Sequence, residues 1–216
     1  MLFDKNRFQA TPKARGICPA CDVPLIAKCG RIKIHHWAHE NLDHCDHWYE
    51  PTTKWHLDWQ DWVKPEFREV YIPPHIADIQ LPNKQVIEIQ HSPISCDEAR
   101  ERENFYDKMI WVFDASTFEN GFRFFEKKSK ITGNIYYSFY WKRPRLSIAE
   151  SSKPVFLDFG EERIFQVKEF YLHEKGSSWQ GREYTVTRCN GWGYMLDLPG
   201  AVNKIFGQYA INADCE

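Results

Sequence analysis

The chain has no run of about 18 apolar residues, the length a helix needs to cross a bilayer, so no membrane span is expected. Its start, Met1-Leu2-Phe3-Asp4-Lys5-Asn6-Arg7, lacks the apolar core of a secretory signal. No internal repeat and no low-complexity tract interrupts it. Positive charge is not in excess either: 28 Lys and Arg stand against 30 Asp and Glu, a net charge of −2 with neutral His. That balance disfavours a generally basic polyanion binder. It leaves room for carboxylates whose charge a bound cation would neutralise. Any phosphate-binding face has to be local, as around Lys127-Lys128-Lys130 or Lys142-Arg143-Arg145.

The 216 residues suffice for one medium domain with a small appended module. Hydrophobic residues at 43% and charged residues at 27% make an ordinary globular composition, not a disordered one. Aromatics reach 16%, with nine Trp; they can fill a core, stack on bases or line an interface. The seven Cys are odd in number, and Cys18-Pro19-Ala20-Cys21 precedes a cluster of His. This fits a metal site in a reducing compartment better than a disulfide framework, and the expected location is cytoplasmic.

Three zones differ in pattern: a Cys- and His-rich segment at 1–47, alternating helical and strand patterns at 48–150, and a β-rich extension at 151–216. In the middle zone Trp55, Trp59 and Trp62 recur at helical spacing over 54–63, and Pro65 ends that helix. A β-like stretch at 67–72 is broken by Pro73-Pro74. Residues 76–81 and 85–90 alternate polar and apolar around Pro82-Asn83-Lys84, a hairpin signal. Ser95-Cys96-Asp97-Glu98 fits a capping box opening a helix to about residue 107. The apolar run 109–114 predicts a buried strand, and 118–128 a second helix. The extension reads as short strands, such as 184–189 and 194–198, separated by Gly191 and Gly193; it packs on the core or binds a partner or a second copy.

The hairpin carries the chemistry. Side chains alternate faces along a strand, so loop length decides whether Asp78 and Glu88 can meet. A two-residue loop pairs Asp78 with Ile87 and parts the acids. A three-residue loop sets Asp78 across from Glu88 and makes the other face apolar, with Ala77 opposite Ile89 and Ile79 opposite Ile87. The polar pattern selects the three-residue loop. Facing carboxylates repel unless a cation sits between them, and hard cations such as Mg²⁺ take this kind of ligand. Gln90, two residues along, can hydrogen-bond a water or a phosphate oxygen. The bland alternative is a solvated face of an edge hairpin.

In the first zone, Cys18-x-x-Cys21 has the spacing of a zinc knuckle. His36-x-x-His39 follows, with Cys45 competing with His36 for the fourth place, and Cys29 and His35 as further candidates. A module this small needs such a staple, and four protein ligands would make the Zn²⁺ structural.

His75-Ile76-Ala77-Asp78, 86–92 (Val-Ile-Glu-Ile-Gln-His-Ser), 100–106 and Trp111-Val112-Phe113-Asp114 together resemble the competence protein CoiA-like family, a branch of the PD-(D/E)XK nucleases. Cys18-x-x-Cys21, His36-Trp37-Ala38-His39 and Glu50 with Trp55-His56 extend the resemblance over roughly 14–114. The resemblance implies an α/β fold: a restriction-endonuclease-like core of mixed sheet flanked by helices, with an N-terminal zinc-binding module and a β-rich C-terminal extension. It implies a metal-dependent nuclease acting on nucleic acid, DNA first, with Asp78, Glu88 and Glu50 holding Mg²⁺ or Mn²⁺ and the Ile89 carbonyl as a further candidate ligand. Gln90 stands where the wider superfamily has Lys, which keeps open a weakly active or inactive binding protein of the same fold. His56 positions water or phosphate, or packs between Trp55 and Trp59; His75 can act from the strand entrance. Arg102 and Tyr106, four apart on one helix face, would grip phosphate and sugar.

Overall fold

The computed structural model describes residues 10–18, 21–30, 35–40, 46–48, 52–179 and 182–211; the side chains of residues 36, 119–120, 175–179 and 182–186 lie outside that description. It is a mixed α/β protein, and contacts divide it into two compact units, 1–88 with 206–216, and 89–205. These units are cut at different places from the compositional zones.

The first unit opens with a small antiparallel sheet, β1 (Arg15–Ile17), β2 (Pro24–Lys28) and β3 (His36–His39), in sequence order. Helix α1 (Lys54–Gln60) follows, capped by Thr53, whose hydroxyl accepts from the His56 N–H at 3.2 Å. That bond satisfies one of the donors a helix start leaves open. The helix ends at Gln60, short of the expected residue 63, and Pro65 opens a 3-10 turn (Pro65–Phe67); Trp59 packs on Phe206 with ring centroids 6.4 Å apart. Strands β4 (Arg68–Ile72) and β5 (His75–Gln80) turn at the Pro73-Pro74 pair and join antiparallel to β6 (Val86–Gln90). The β5–β6 register pairs Ile79 with Ile87 and Gln80 with Val86. It closes through the three-residue loop, where Leu81 N–H donates to the Gln85 carbonyl at 2.9 Å. Lys84 takes φ +66°, the left-handed residue that three-residue hairpins place at this point.

In the second unit Ser95 caps α2 (Cys96–Phe105), its hydroxyl accepting from Glu98 N–H as the capping pattern predicts. Strand β7 (Met109–Asp114) is buried along its whole length. The predicted second helix is overturned: a 3-10 turn at Ser116–Gly121 leads into a strand, β8 (Phe122–Lys128). Aromatic alternation decides the outcome. Phe122 and Phe124 point to one side, where they meet Trp141 and Phe165 at 4.7 and 4.9 Å between centroids. Then come β9 (Ile135–Trp141), the short α3 (Leu146–Ala149), β10 (Val155–Asp158), β11 (Ile164–Trp179), β12 (Arg182–Leu196) and α4 (Leu198–Phe206). Within this unit the strand order is β7-β10-β11-β12-β9-β8, parallel only between β7 and β10, so the sheet is mixed.

The extension departs from the short-strand expectation. β11 and β12 run 16 and 15 residues, and β12 passes through both glycines without a break. Those glycines are close-approach positions. A Cβ at Gly191 would fall 2.1 Å from the Glu169 carbonyl oxygen and 2.5 Å from the Phe139 ring; one at Gly193 would fall 2.1 Å from the Gln166 carbonyl oxygen. Overpacking of this kind typically costs about 1–3 kcal/mol, and here backbone must move. Gly191→Ala is therefore expected to lower the melting temperature, measured calorimetrically, by several degrees or to prevent folding; an unchanged transition would contradict the packing. The helix α4 was also not anticipated. Its start is set by Asp197, whose carboxylate accepts from Gly200 N–H at 2.9 Å.

α2 is tied down through a buried carboxylate. Glu103 accepts from the Trp111 indole at 2.9 Å, from the Ser151 and Ser152 hydroxyls at 2.6 Å each, and from Ser152 N–H at 2.9 Å. Burial pushes its pKa up, but hydrogen bonds from Ser151, Ser152 and Trp111 outweigh it and hold the group below the ordinary 4.5. A depressed folded value means the stabilisation is complete above the unfolded value and is lost as pH falls through the folded one. Glu103→Gln is expected to melt lower at pH 7 and to lose less stability than the parent between about pH 5 and pH 2, read by chemical denaturation.

Candidate functional site

Cys18 and Cys21 lie on the turn between β1 and β2. The Cys18 N–H donates to the Val23 carbonyl at 3.0 Å, the Asp22 N–H donates back to the Cys18 carbonyl at 2.9 Å, and Asp22 takes φ +56°. This tight turn aims both thiols to one side. Pairing of Leu25 with His39 returns the end of β3 to the same place. The Cys18, Cys21 and His39 ligand atoms all lie within 4.8 Å of one another, with Cys21 Sγ 3.4 Å from His39 Nε2. Two thiols and an imidazole so placed form a candidate metal site, and this donor set fits a tetrahedral ion that takes one more ligand. His36 sits at the other end of β3, paired with Lys28, and its side chain is outside the description, as are Cys45 and all of Glu50. Cys29 goes elsewhere, its thiol 3.5 Å from the Ala10 carbonyl.

A second trio, Asp46, His47 and His75, also converges within 4.8 Å. Here Asp46 serves as a tie. Its carboxylate accepts from Ile76 N–H at 2.8 Å and Trp48 N–H at 3.0 Å, and lies 2.8 Å from His75 Nδ1. Trp48 stacks on His75 at 3.2 Å between centroids. His75 is 8% exposed, so it sits beneath Trp48 and not at an open strand entrance. Asp46-His47-Trp48 was not singled out from the sequence.

The acid pair occupies the middle of the β5–β6 hairpin. Continuing the register from Ile79–Ile87 puts Asp78 opposite Glu88, and Glu88 Oε1 accepts from the Asp78 N–H at 3.4 Å. Glu88 is 2% exposed, whereas Asp78 is half-buried. Two side chains one helical turn apart on α1 address Asp78. His56 Nε2 lies 3.3 Å from its carboxylate, and the Gln60 amide donates to its carbonyl at 3.1 Å. Residues four apart share a helix face, so α1 meets Asp78 at its side chain and holds its backbone from one face. Sequence reasoning picked out His56 and missed Gln60; its spacing from His56 was the available signal. Among the described residues, Asp78, Glu88 and His56 do not close to the three-ligand distance that the other two trios reach.

The remaining expected residues belong to the second unit. The Gln90 amide donates to the Ser92 carbonyl at 2.9 Å. Arg102 and Tyr106 do share a face of α2, but it is the inner one: each is 3% exposed, and Arg102 pairs with Glu98 at 2.5 Å. Neither offers a surface to a polymer in solution. Also unanticipated is His91, whose Nδ1 lies 2.7 Å from the buried Asp114 carboxylate. Cys189 is fully buried, and burial pushes its thiol up to about 11, which disfavours the thiolate.

Residues 3–47 match the family model described as "Competence protein CoiA, N-terminal domain". The match covers the cysteine turn and β3, and it supports the CoiA-like resemblance over that segment. No curated protein and no solved structure matches the chain. Among the described residues no helix is long and apolar enough to cross a membrane.

Proposed function

We propose that the protein is a metal-dependent nuclease that hydrolyses phosphodiester bonds of nucleic acid, DNA first, at Asp78 and Glu88. One observation carries the reading: the Ile79–Ile87 register, continued by one residue, brings Asp78 opposite Glu88, with His56 Nε2 3.3 Å from the Asp78 carboxylate and the Gln60 amide on its carbonyl. Opposed carboxylates are unfavourable neighbours unless something positive lies between them, and hard oxygen donors fit Mg²⁺ or Mn²⁺. Asp78 and Glu88 would hold the ion, and Glu50 is the third acid of the proposed set. When bound, such an ion lowers the pKa of a water and polarises a phosphoryl oxygen. The chain's own contribution is positional. Gln60 fixes the Asp78 backbone, and buried Glu88 keeps its carboxylate in a water-poor setting where charge acts strongly. His56, 3.3 Å from the Asp78 carboxylate, would orient a water or take a proton.

The N-terminal trio, Cys18, Cys21 and His39, is proposed to hold structural Zn²⁺, with His36 or Cys45 as the fourth ligand. Soft sulfur and imidazole donors suit that ion. A second reading, a nucleic-acid-binding protein with weak or no hydrolysis, is favoured by the Gln90 amide being turned onto Ser92 where the superfamily has a Lys. The deciding experiment is cleavage of labelled single- and double-stranded DNA and RNA with Mg²⁺ and Mn²⁺. Metal-dependent products support hydrolysis; binding with no product on any substrate supports the second reading.

A further inference from the structure

The sheet of the second unit has one buried face and one open face. Phe122, Phe124, Phe139, Trp141 and Phe165 fill the buried side. Strand alternation then sends the intervening residues to the other side, and the registers arrange them in rows. Arg123 pairs with Tyr140, Tyr140 with Asn190, and Asn190 with Tyr171. In the next row Phe125 pairs with Ser138, Ser138 with Trp192, and Trp192 with Glu169. Small Ser138 between Phe125 and Trp192 leaves an open cavity of about 650 Å³ walled by rings. Phe125 and Tyr171 are 49% and 47% exposed, large rings left open to solvent on one face.

Cations outnumber acids around this cradle. Arg123 and Lys127 stand on β8, and Lys168 Nζ lies 5.7 Å from the Tyr194 ring centroid. Arg188, paired with His173, follows on β12, and Lys142 continues β9 by one residue; all five cations are exposed. The acid in the cradle, Glu169, accepts from the Tyr171 hydroxyl and, at 2.9 Å, from the Trp192 indole. It thereby holds two of the rings in place. A net charge of −2 over the whole chain makes this local excess of cations the more pointed.

We propose that this open sheet face binds single-stranded nucleic acid, with bases stacking on Phe125, Tyr171 and Trp192 and the backbone lying along Arg123, Lys127, Lys168 and Arg188. Rings recognise any base through its π-face, and cations recognise phosphate, so the combination fits unpaired strands and gives little sequence preference. A duplex hides its base faces. A neutral oligosaccharide could use the rings but leaves the cations without partners. The proposal is independent of hydrolysis at Asp78 and Glu88, though it names a substrate surface that the hydrolytic reading needs.

The test is fluorescence anisotropy with labelled 15-mers of dT and U, a 15-base-pair duplex and a neutral oligosaccharide. It uses the full chain without added Mg²⁺ or Mn²⁺, so that binding is read whether or not the protein cleaves. Tight binding of single strands over duplex is expected, weakening steeply with salt. Phe125→Ala with Tyr171→Ala should weaken it about tenfold or more, whereas Tyr171→Phe, which keeps the ring, should stay within about threefold. Arg123→Gln with Lys127→Gln should flatten the salt dependence. The dT and U arms separate DNA from RNA preference. Duplex bound as well as single strands, oligosaccharide bound in their place, or affinity unmoved by the ring substitutions would each overturn the proposal. So would a stable dimer, seen by sedimentation and abolished by Phe125→Ala, that does not bind strands.

Discussion

Replacing Asp78 with alanine is expected to lower Mg²⁺-dependent cleavage by at least about 100-fold, the scale on which even outer partners of a metal act. The substitution removes a proposed metal ligand and the carboxylate against His56 together. Asp78 is half-buried and held through its backbone by Gln60, so alanine keeps that tie and the hairpin should fold. Glu88 is buried, and glutamine is the better probe there because it keeps the volume. Glu88→Gln should fall as far as Asp78→Ala, and the double variant little further, since residues holding one ion act as a unit. His56→Ala should lie between these variants and the parent. Circular dichroism checks the fold of each. Cleavage that survives both acid substitutions would remove the assigned site altogether.

Purified protein should carry about one zinc per chain by elemental analysis, and Cys18→Ser with Cys21→Ser should lose it. In zinc-finger peptides the metal contributes about 10–16 kcal/mol of apparent binding energy that is also folding energy. The sheet β1–β2–β3 has strands of three, five and four residues, too small a core to stand without a staple. The double variant is therefore expected to expose the N-terminal segment to limited proteolysis while 89–205 stays resistant. A chelator should do the same to the parent. Zinc retained in the double variant would refute the ligand choice. Replacing His36 and Cys45 one at a time would then identify the fourth ligand: only one of them should release the ion.

The parts of the fold legible from sequence are those where a local rule and the tertiary context agree. Ser95 capped its helix and the polar alternation fixed the β5–β6 register, because each is decided within a few residues. The 118–128 segment was misread because charges at Glu126, Lys127 and Lys128 look helical, while Phe122 and Phe124 answer to rings on other strands. Gly191 and Gly193 look like turn residues from their own neighbourhood. Only the approach of Glu169 and Gln166 from β11 shows them to be places where a strand admits no side chain. Burial misled in the same way at Arg102 and Tyr106: helical spacing put them on one face but could not say that the face turns inward. The cysteine turn was legible because its candidate ligands are local, and His39 joins it through one strand pairing. Gln60 and the Asp46 tie depend on contacts eighteen and about thirty positions away, which no short pattern reports.

Between Leu81 and Gln85 the proposed site depends on a count, not on the identity of a residue. Parity is what matters: substitutions at Pro82, Asn83 or Lys84 can leave the two acids facing, whereas shortening the loop by one turns them back to back with every carboxylate still present. A homologue with both acids intact and an even number of loop residues would thus lack the proposed metal site.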